Sequence, residues 1–368
     1  MNNKILVLTN CIRGLYNFRK EVLTSLKEKG YEVVIVAPIK EEGMQSTWFR
    51  SKGFEIISVV FNRQGINPMT DLKLMLTYRG LIKRVRPMAV LTYTIKPNLY
   101  GGMACALCGV PQIANITGLG AAVEYPGMMQ RITIFLYKLG LRKTYLTFFQ
   151  NDANRKFCEQ HNMIKGRHQL IPGSGVDLSY HVQQEYPAES EPIRFIFCSR
   201  IRREKGIEEY IATAEAIHAK YPHTEFHVLG GCEGDYEQRL KNLQAKGVLT
   251  YHGRQADVRP FFGMGSCTIH PTFYPEGMSN VLLESCATGR PIITTNRPGC
   301  REVVDDGING YIVKEQDSED LIAKVEAFIH LSYEEKKQMG INARKKVERE
   351  FDRNYVINAY LNAVEGIK

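Results

Sequence analysis

Arg194-Phe-Ile-Phe-Cys198-Ser-Arg200-Ile-Arg-Arg-Glu-Lys205-Gly206-Ile207 opens on a short β-rich run, Arg194–Cys198, and closes on the start of a helical one, Ile207–Lys220. The loop between them carries two cations, Arg200 and Lys205, and a glycine at the helix entrance. A strand feeding a helix through a short loop is the repeating unit of a parallel sheet. Two cations at a strand's carboxyl end, ahead of a helix N-terminus, suit a diphosphate, both to bind it and to stabilise it as a leaving group. A solvated basic loop would read the same way in isolation.

The alternation continues on both sides. Downstream come strands Glu225–Leu229, Leu249–Tyr251, Cys267–His270 and Pro291–Thr294, with helices Tyr236–Lys246 and Asn280–Thr288. Upstream, strands Ile5–Thr9, Glu32–Ala37, Glu55–Val60, Ala89–Tyr93 and Gln112–Asn115 alternate with helical patterns near Tyr16–Lys29, Met69–Val85 and Leu99–Cys108. The fold class is therefore α/β, with two doubly wound, Rossmann-like domains whose strand ends face a cleft. The polar segment Gln183–Pro192, with Pro187 and Pro192, reads as the linker. That sets domains at 1–186 and 187–350, followed by a C-terminal helix, 351–368, that could cross back to the first domain. Asp317–His330, Tyr333–Phe351 and Asn354–Ile367 read as amphipathic helices.

Composition narrows the class. The 368 residues are 44% hydrophobic and 24% charged, as in a globular protein large enough for two cores. Nine scattered cysteines form no disulfide framework, so a reducing cytoplasm is expected. Cys105 and Cys108 lie in an apolar helical run without a second ligand pair and read as buried thiols. With a strand read from Lys4 onward no leader peptide is expected, and no apolar run reaches the ~18 residues of a spanning helix. Residues 1–170 hold 24 Lys+Arg against 10 Asp+Glu (+14), and 171–368 hold 24 against 29 (−5), which sum to the net +9. A basic first half points to an anionic partner such as lipid headgroups or nucleic acid, with solubility alone as the plain alternative. In Met128–Lys143, Arg131, Lys138 and Arg142 fall within about 40° of one another at 100° per residue, beside Met128, Met129, Ile132, Phe135, Leu136 and Leu139. Such a stripe suits a helix resting on anionic membrane, and equally a helix packed on its own core.

The second cluster is Pro275-Glu276-Gly277-Met278-Ser279-Asn280-Val281-Leu282-Leu283-Glu284. Small polar residues giving way to apolar ones read as a loop entering a helix N-terminus, a ready anion site. A fully helical run would separate the carboxylates by roughly 12 Å along the axis, too far to grip one small group. Glu276 is expected in the loop and Glu284 about two turns into the helix, touching different parts of an elongated ligand such as a sugar nucleotide. Weaker signals are Gly14 after the first strand, Lys96 after another, and Gly118 and Gly120 in Thr117–Gly120. A Gly14 loop could approach a phosphate, Lys96 could reach an anion, and the Gly118–Gly120 loop could line the cleft. Gly230-Gly231 and Pro298-Gly299 read as turns. Asp-x-Asp, Walker, zinc-spacing and Gly-x-Ser-x-Gly patterns are missing, which disfavours metal, ATP and acyl-transfer chemistry.

Together these residues resemble the retaining glycosyltransferases of family 4, which have the GT-B fold. The resemblance covers essentially the whole chain and is strongest from Arg194 to Val313. It implies that Glu276 contacts the donor sugar, Glu284 the ribose hydroxyls, Arg200 and Lys205 the diphosphate, and the backbone of Gly277–Val281 the rest of the donor. The segment Ile171–Asp177 resembles the family's stretch before the linker. Tyr93-Thr-Ile-Lys96-Pro97-Asn98-Leu-Tyr-Gly101 and Ile116–Gly120 resemble a subgroup that builds bacterial capsular, lipopolysaccharide and lipid-linked oligosaccharide chains. Many family members carry a cleft histidine where this chain has Thr117–Gly120. The implied activity is metal-independent retaining transfer from a UDP-hexose or UDP-N-acetylhexosamine to a lipid-linked or glycan acceptor. No cofactor is expected, no nucleic acid partner, and a peripheral place on the inner face of the plasma membrane. A UDP-sugar epimerase would need acid–base residues from the first domain. A nucleic-acid binder would need aromatics interleaved with basic residues on an exposed sheet, whereas the aromatics here fall within apolar runs.

Overall fold

The computed structural model describes residues 2–39, 41–62 and 67–367, and the chain divides into two compact units. One comprises Met1–Ser174 with Asn354–Lys368, the other Gly175–Arg353.

The first unit holds β1 (Lys4–Leu8), β2 (Glu32–Ala37), β3 (Glu55–Ser58), β4 (Ala89–Tyr93), β5 (Gln112–Ile116), β6 (Leu146–Phe149) and β7 (Arg167–Leu170). Paired in the order β3-β2-β1-β4-β5-β6-β7, they form one parallel sheet. Helices α1 (Ile12–Glu28), α2 (Met44–Ser51), α3 (Pro68–Val85), α4 (Gly102–Cys108), α5 (Met128–Gly140) and α6 (Asp152–Gln160) cover it. Ile5, Val7, Val33 and Ile35 face one core with α1 and α2, while Leu6, Leu8, Val34 and Val36 face the other with α3 to α6. Central strands β4 and β5 are buried along their whole length, as a sheet covered on both faces requires.

The second unit repeats the plan with β8 (Ile193–Cys198), β9 (Thr224–Leu229), β10 (Thr250–Tyr251), β11 (Cys267–His270), β12 (Ile292–Thr295) and β13 (Gly310–Val313). Their order is β10-β9-β8-β11-β12-β13, again parallel. Its helices are α7 (Ile207–Lys220), α8 (Tyr236–Ala245), α9 (Arg259–Met264), α10 (Asn280–Ala287), α11 (Ser318–His330) and α12 (Tyr333–Glu350). In each sheet the winding direction reverses once, between β1 and β4 and between β8 and β11. At such a switch point the loops leaving two neighbouring strands diverge and leave a crevice at the carboxyl end.

The change of unit falls at Ser174/Gly175, not at the expected 186/187, and the reason is hydrogen bonding. Buried Arg290 donates to the carbonyls of Gln184 (3.2 Å) and Glu185 (2.6 Å), and Tyr186 Oη donates to the Ser266 carbonyl (2.9 Å). The proline-bearing segment is thereby tied to the second unit. At the other end α13 (Arg353–Glu365) sends Val356, Tyr360 and Val364 into the first unit's core, where Asn115 Nδ2 donates to Tyr360 Oη at 2.7 Å. None of the cysteines forms a disulfide.

Candidate functional site

Lys205 and Glu276 sit on the two loops that leave β8 and β11, on either side of the second unit's switch point. Their side chains form an ion pair, with Lys205 buried and Glu276 half-buried. The Lys205 ammonium also lies 4.6 Å from the centre of the Tyr274 ring. Backbone bonds sew the loops together: Phe273 N (3.0 Å) and Thr272 Oγ1 (3.1 Å) both donate to the Glu204 carbonyl. Gly206 allows this approach. At φ +80° it is left-handed, and a Cβ there would stand 2.1 Å from the Pro271 carbonyl oxygen.

Glu276 stays in the loop, and α10 begins at Asn280 with Ser279 as its cap residue. Glu284 is the fifth residue of α10, so it lies about one turn inside, not two. The helix starts no earlier because Ser279 is extended and its N donates to the Gly299 carbonyl (2.8 Å), which holds the chain in the loop up to that point. No side chain caps α10, so its first amide groups are open to an acceptor. Met278 packs into the core, so only its backbone faces the helix entrance. Burial raises the Glu284 carboxyl to about 7, opposed in part by Arg353.

Arg200 is exposed and stands 3.6 Å from Glu233, whereas neighbouring Arg202 grips Glu204 through two bonds of 2.9 and 2.8 Å. The loop after β9 closes beside them: Ile201 N donates to the Gly231 carbonyl and Glu233 N to the Ile201 carbonyl, both at 2.9 Å. Gly230 makes that contact possible, since a Cβ there would meet the Ser199 carbonyl oxygen at 1.7 Å. The weak glycine signal of the sequence is thus a close-approach site.

His270, at the carboxyl end of β11, was not singled out by sequence. Its ring is fully buried with no hydrogen-bond partner on either nitrogen, and burial together with nearby Lys205 lowers it to about 3. It is a neutral imidazole at physiological pH. Only its place at the end of a switch-point strand could have marked it.

The first-unit candidates fare differently. Gly14 is not in a loop; it lies in the first turn of α1, and its amide already donates to Cys11 Sγ at 3.4 Å. Lys96 is not an open cation: it is buried, with its ammonium 2.6 Å from Asp71, which also accepts from Tyr100 Oη at 2.9 Å. Gly118 and Gly120 do take positive φ, +131° and +83°, in the loop after β5.

Known protein families match both halves of the chain. The family described as "Glycosyl transferases group 1" matches residues 181–346, and "Glycosyl transferase 4-like" matches residues 4–151. The chain belongs to the family 4-like glycosyltransferases of GT-B fold. Over 98% of each chain it is 22% identical to the N,N'-diacetylbacillosaminyl-diphospho-undecaprenol alpha-1,3-N-acetylgalactosaminyltransferase of Campylobacter jejuni. It is 24% identical, over 99% of each chain, to a capsular polysaccharide biosynthesis glycosyltransferase of Staphylococcus aureus. Among solved structures, a Rickettsia africae glycosyltransferase superimposes with a TM-score of 0.80 at 18% identity, covering 100% of this chain and 98% of that one. An Anabaena protein solved with UDP and glucose gives 0.76 at 16% identity, covering 99% of each chain. This glycosyltransferase therefore shares the family's fold throughout its length.

Proposed function

We propose that this glycosyltransferase moves a hexose or N-acetylhexosamine from a UDP-sugar to a lipid-linked or glycan acceptor in bacterial surface polysaccharide assembly, with retention at the anomeric carbon. The observation that carries the reading is the Lys205–Glu276 pair at the switch point, on loops that also present Arg200 and the uncapped start of α10. The names of the Campylobacter and Staphylococcus relatives and the UDP held by the Anabaena protein support the donor and acceptor classes.

In this reading the α10 amides, Lys205 and Arg200 receive the diphosphate. Glu284 accepts from the ribose hydroxyls, and Glu276, held by Lys205, accepts from the sugar. As the anomeric carbon–oxygen bond breaks, charge grows on the departing diphosphate, where the two cations stabilise it. The acceptor hydroxyl attacks from the same face and gives its proton to that diphosphate, so no protein nucleophile is required. Charge neutralisation falls in this reading to Arg200 and Lys205, without a metal ion. The first unit, with the Gly118–Gly120 loop, takes the acceptor. No described helix is long and apolar enough to cross a membrane, and a peripheral place on the cytoplasmic face fits a lipid-linked acceptor.

The test is a donor screen with purified protein and a polyprenyl-diphosphate-sugar acceptor. Turnover of a UDP-hexose or UDP-N-acetylhexosamine, with an α-linked product from an α-linked donor, is expected. Turnover confined to GDP- or ADP-sugars, or a product of inverted configuration, would overturn the donor or the stereochemistry.

A further inference from the structure

We propose that α3 and α5 together form a docking surface for an anionic lipid bilayer. The inference deepens the membrane part of the proposed function and rests on that part, not on the sugar-transfer chemistry.

Both helices pack on the same face of the first sheet, with α4 between them. Leu74, Tyr78, Leu81 and Ile82 of α3 and Tyr137 of α5 point into that core. The opposite sides, turned away from the sheet, are not polar. On α3, Met69 (79% exposed), Leu72 and Leu76 lie uncovered at helical spacing. On α5, Met128, Ile132, Phe135 (59% exposed) and Leu139 do the same, and Tyr125 precedes them. A lone exposed leucine means little, but rows on the two helices that flank α4 mark an interaction face.

The charges select the partner. Between Pro68 and Lys143 the chain has ten Lys+Arg and two carboxylates, Asp71 and Glu124. Asp71 is buried against Lys96, so that pair cancels inside the fold. Nothing acidic remains on α3 or α5 to repel an anion, since α5 contains no Asp or Glu and α3 only Asp71. Lys73, Lys83 and Arg84 on α3, and Arg131, Lys138 and Arg142 on or just after α5, are all exposed. At 100° per residue, Arg131, Lys138 and Arg142 flank the Met128–Ile132–Phe135–Leu139 row. Projecting Met, Leu, Ile and Phe beside cations match a bilayer interface, where apolar groups enter the acyl boundary and cations meet headgroup phosphates. A nucleic acid would take the cations and leave the apolar rows in water.

The experiment is flotation of the purified full chain with vesicles of phosphatidylcholine containing about a third phosphatidylglycerol, in the absence of any sugar nucleotide. The wild type is expected to float with these vesicles, weakly with pure phosphatidylcholine, and less at about 0.5 M salt, where screening shortens to a few ångströms. Phe135→Glu on α5 and Leu76→Glu on α3 should each release it, and Arg131→Gln should weaken binding about fivefold. Thermal melting and turnover of a water-soluble acceptor analogue should be unchanged in all three variants. Absence of wild-type flotation, or flotation unaltered by both glutamate variants, overturns the proposal, as does binding to DNA without binding to vesicles. Because no donor is present, failure here leaves sugar transfer standing, and failure of the donor screen leaves this surface standing.

Discussion

Lys205 and Glu276, 71 residues apart in sequence, form an ion pair across the β8–β11 switch point. The lysine has two further N–H groups for a phosphate. Lys205 can therefore meet a phosphate without leaving Glu276.

Removing the carboxylate has two separable consequences. Glu276→Ala strands a buried ammonium and should cost about 3 kcal/mol of stability, whereas Glu276→Gln keeps an acceptor beside Lys205 and should cost less. Both variants should lose far more kcat than UDP affinity. Melting curves, steady-state kinetics and calorimetry separate these effects; equal losses of turnover and UDP binding would remove Glu276 from the sugar.

The two cations should behave differently. Arg200 is exposed and only loosely paired, so Arg200→Ala should weaken UDP while leaving stability within about 0.5 kcal/mol. Lys205→Ala should weaken UDP and lower the melting temperature together. Unchanged UDP affinity by calorimetry would contradict either assignment.

Glu284 gives a pH signature. Burial favours its protonated form and raises it to about 7. Because the folded value lies above the unfolded one, its stabilising contribution is complete below about pH 4 and fades as pH rises through 7. Glu284→Gln should therefore melt higher than wild type at pH 8 and lose that advantage at pH 5. The ionised carboxylate is the better acceptor for ribose hydroxyls, so uridine affinity should rise about tenfold from pH 6 to 8, a step the glutamine variant lacks.

Gly206 tests the loop seam. Its positive φ, and the 2.1 Å at which a Cβ would meet the Pro271 carbonyl oxygen, leave no room for a methyl group. Gly206→Ala should cost about 2 kcal/mol or more and weaken UDP by displacing Lys205. An alanine variant with wild-type melting and affinity would show that the seam does not position the lysine.

The sequence showed the second unit more clearly than the first. Cys267–His270 and Ile207–Lys220 match β11 and α7 residue for residue, because apolar runs there end at polar loops. Strand β7, Arg167-His-Gln-Leu, is exposed along its length at the sheet edge, so it carries no hydrophobic alternation to read. Strand β6, Leu146-Thr-Phe-Phe, is buried on both faces and too short to distinguish from a helix segment. Gly14 was misplaced because the Cys11 cap is a poor capping residue by type and gave no helix-start signal before Tyr16. Lys96 was misjudged because its partner, Asp71, is distant in sequence and lies on another helix. The residues of the proposed donor site come together because loops after neighbouring parallel strands converge by topology, whatever their separation in the chain.

The measurement that tests the central claim most directly is a crystal structure with UDP bound. The account predicts both phosphorus atoms at the amino end of α10, with Lys205 Nζ within hydrogen-bond reach of a phosphate oxygen and Glu284 on the ribose. Phosphates bound elsewhere, or a Lys205 side chain turned away from them, would contradict it.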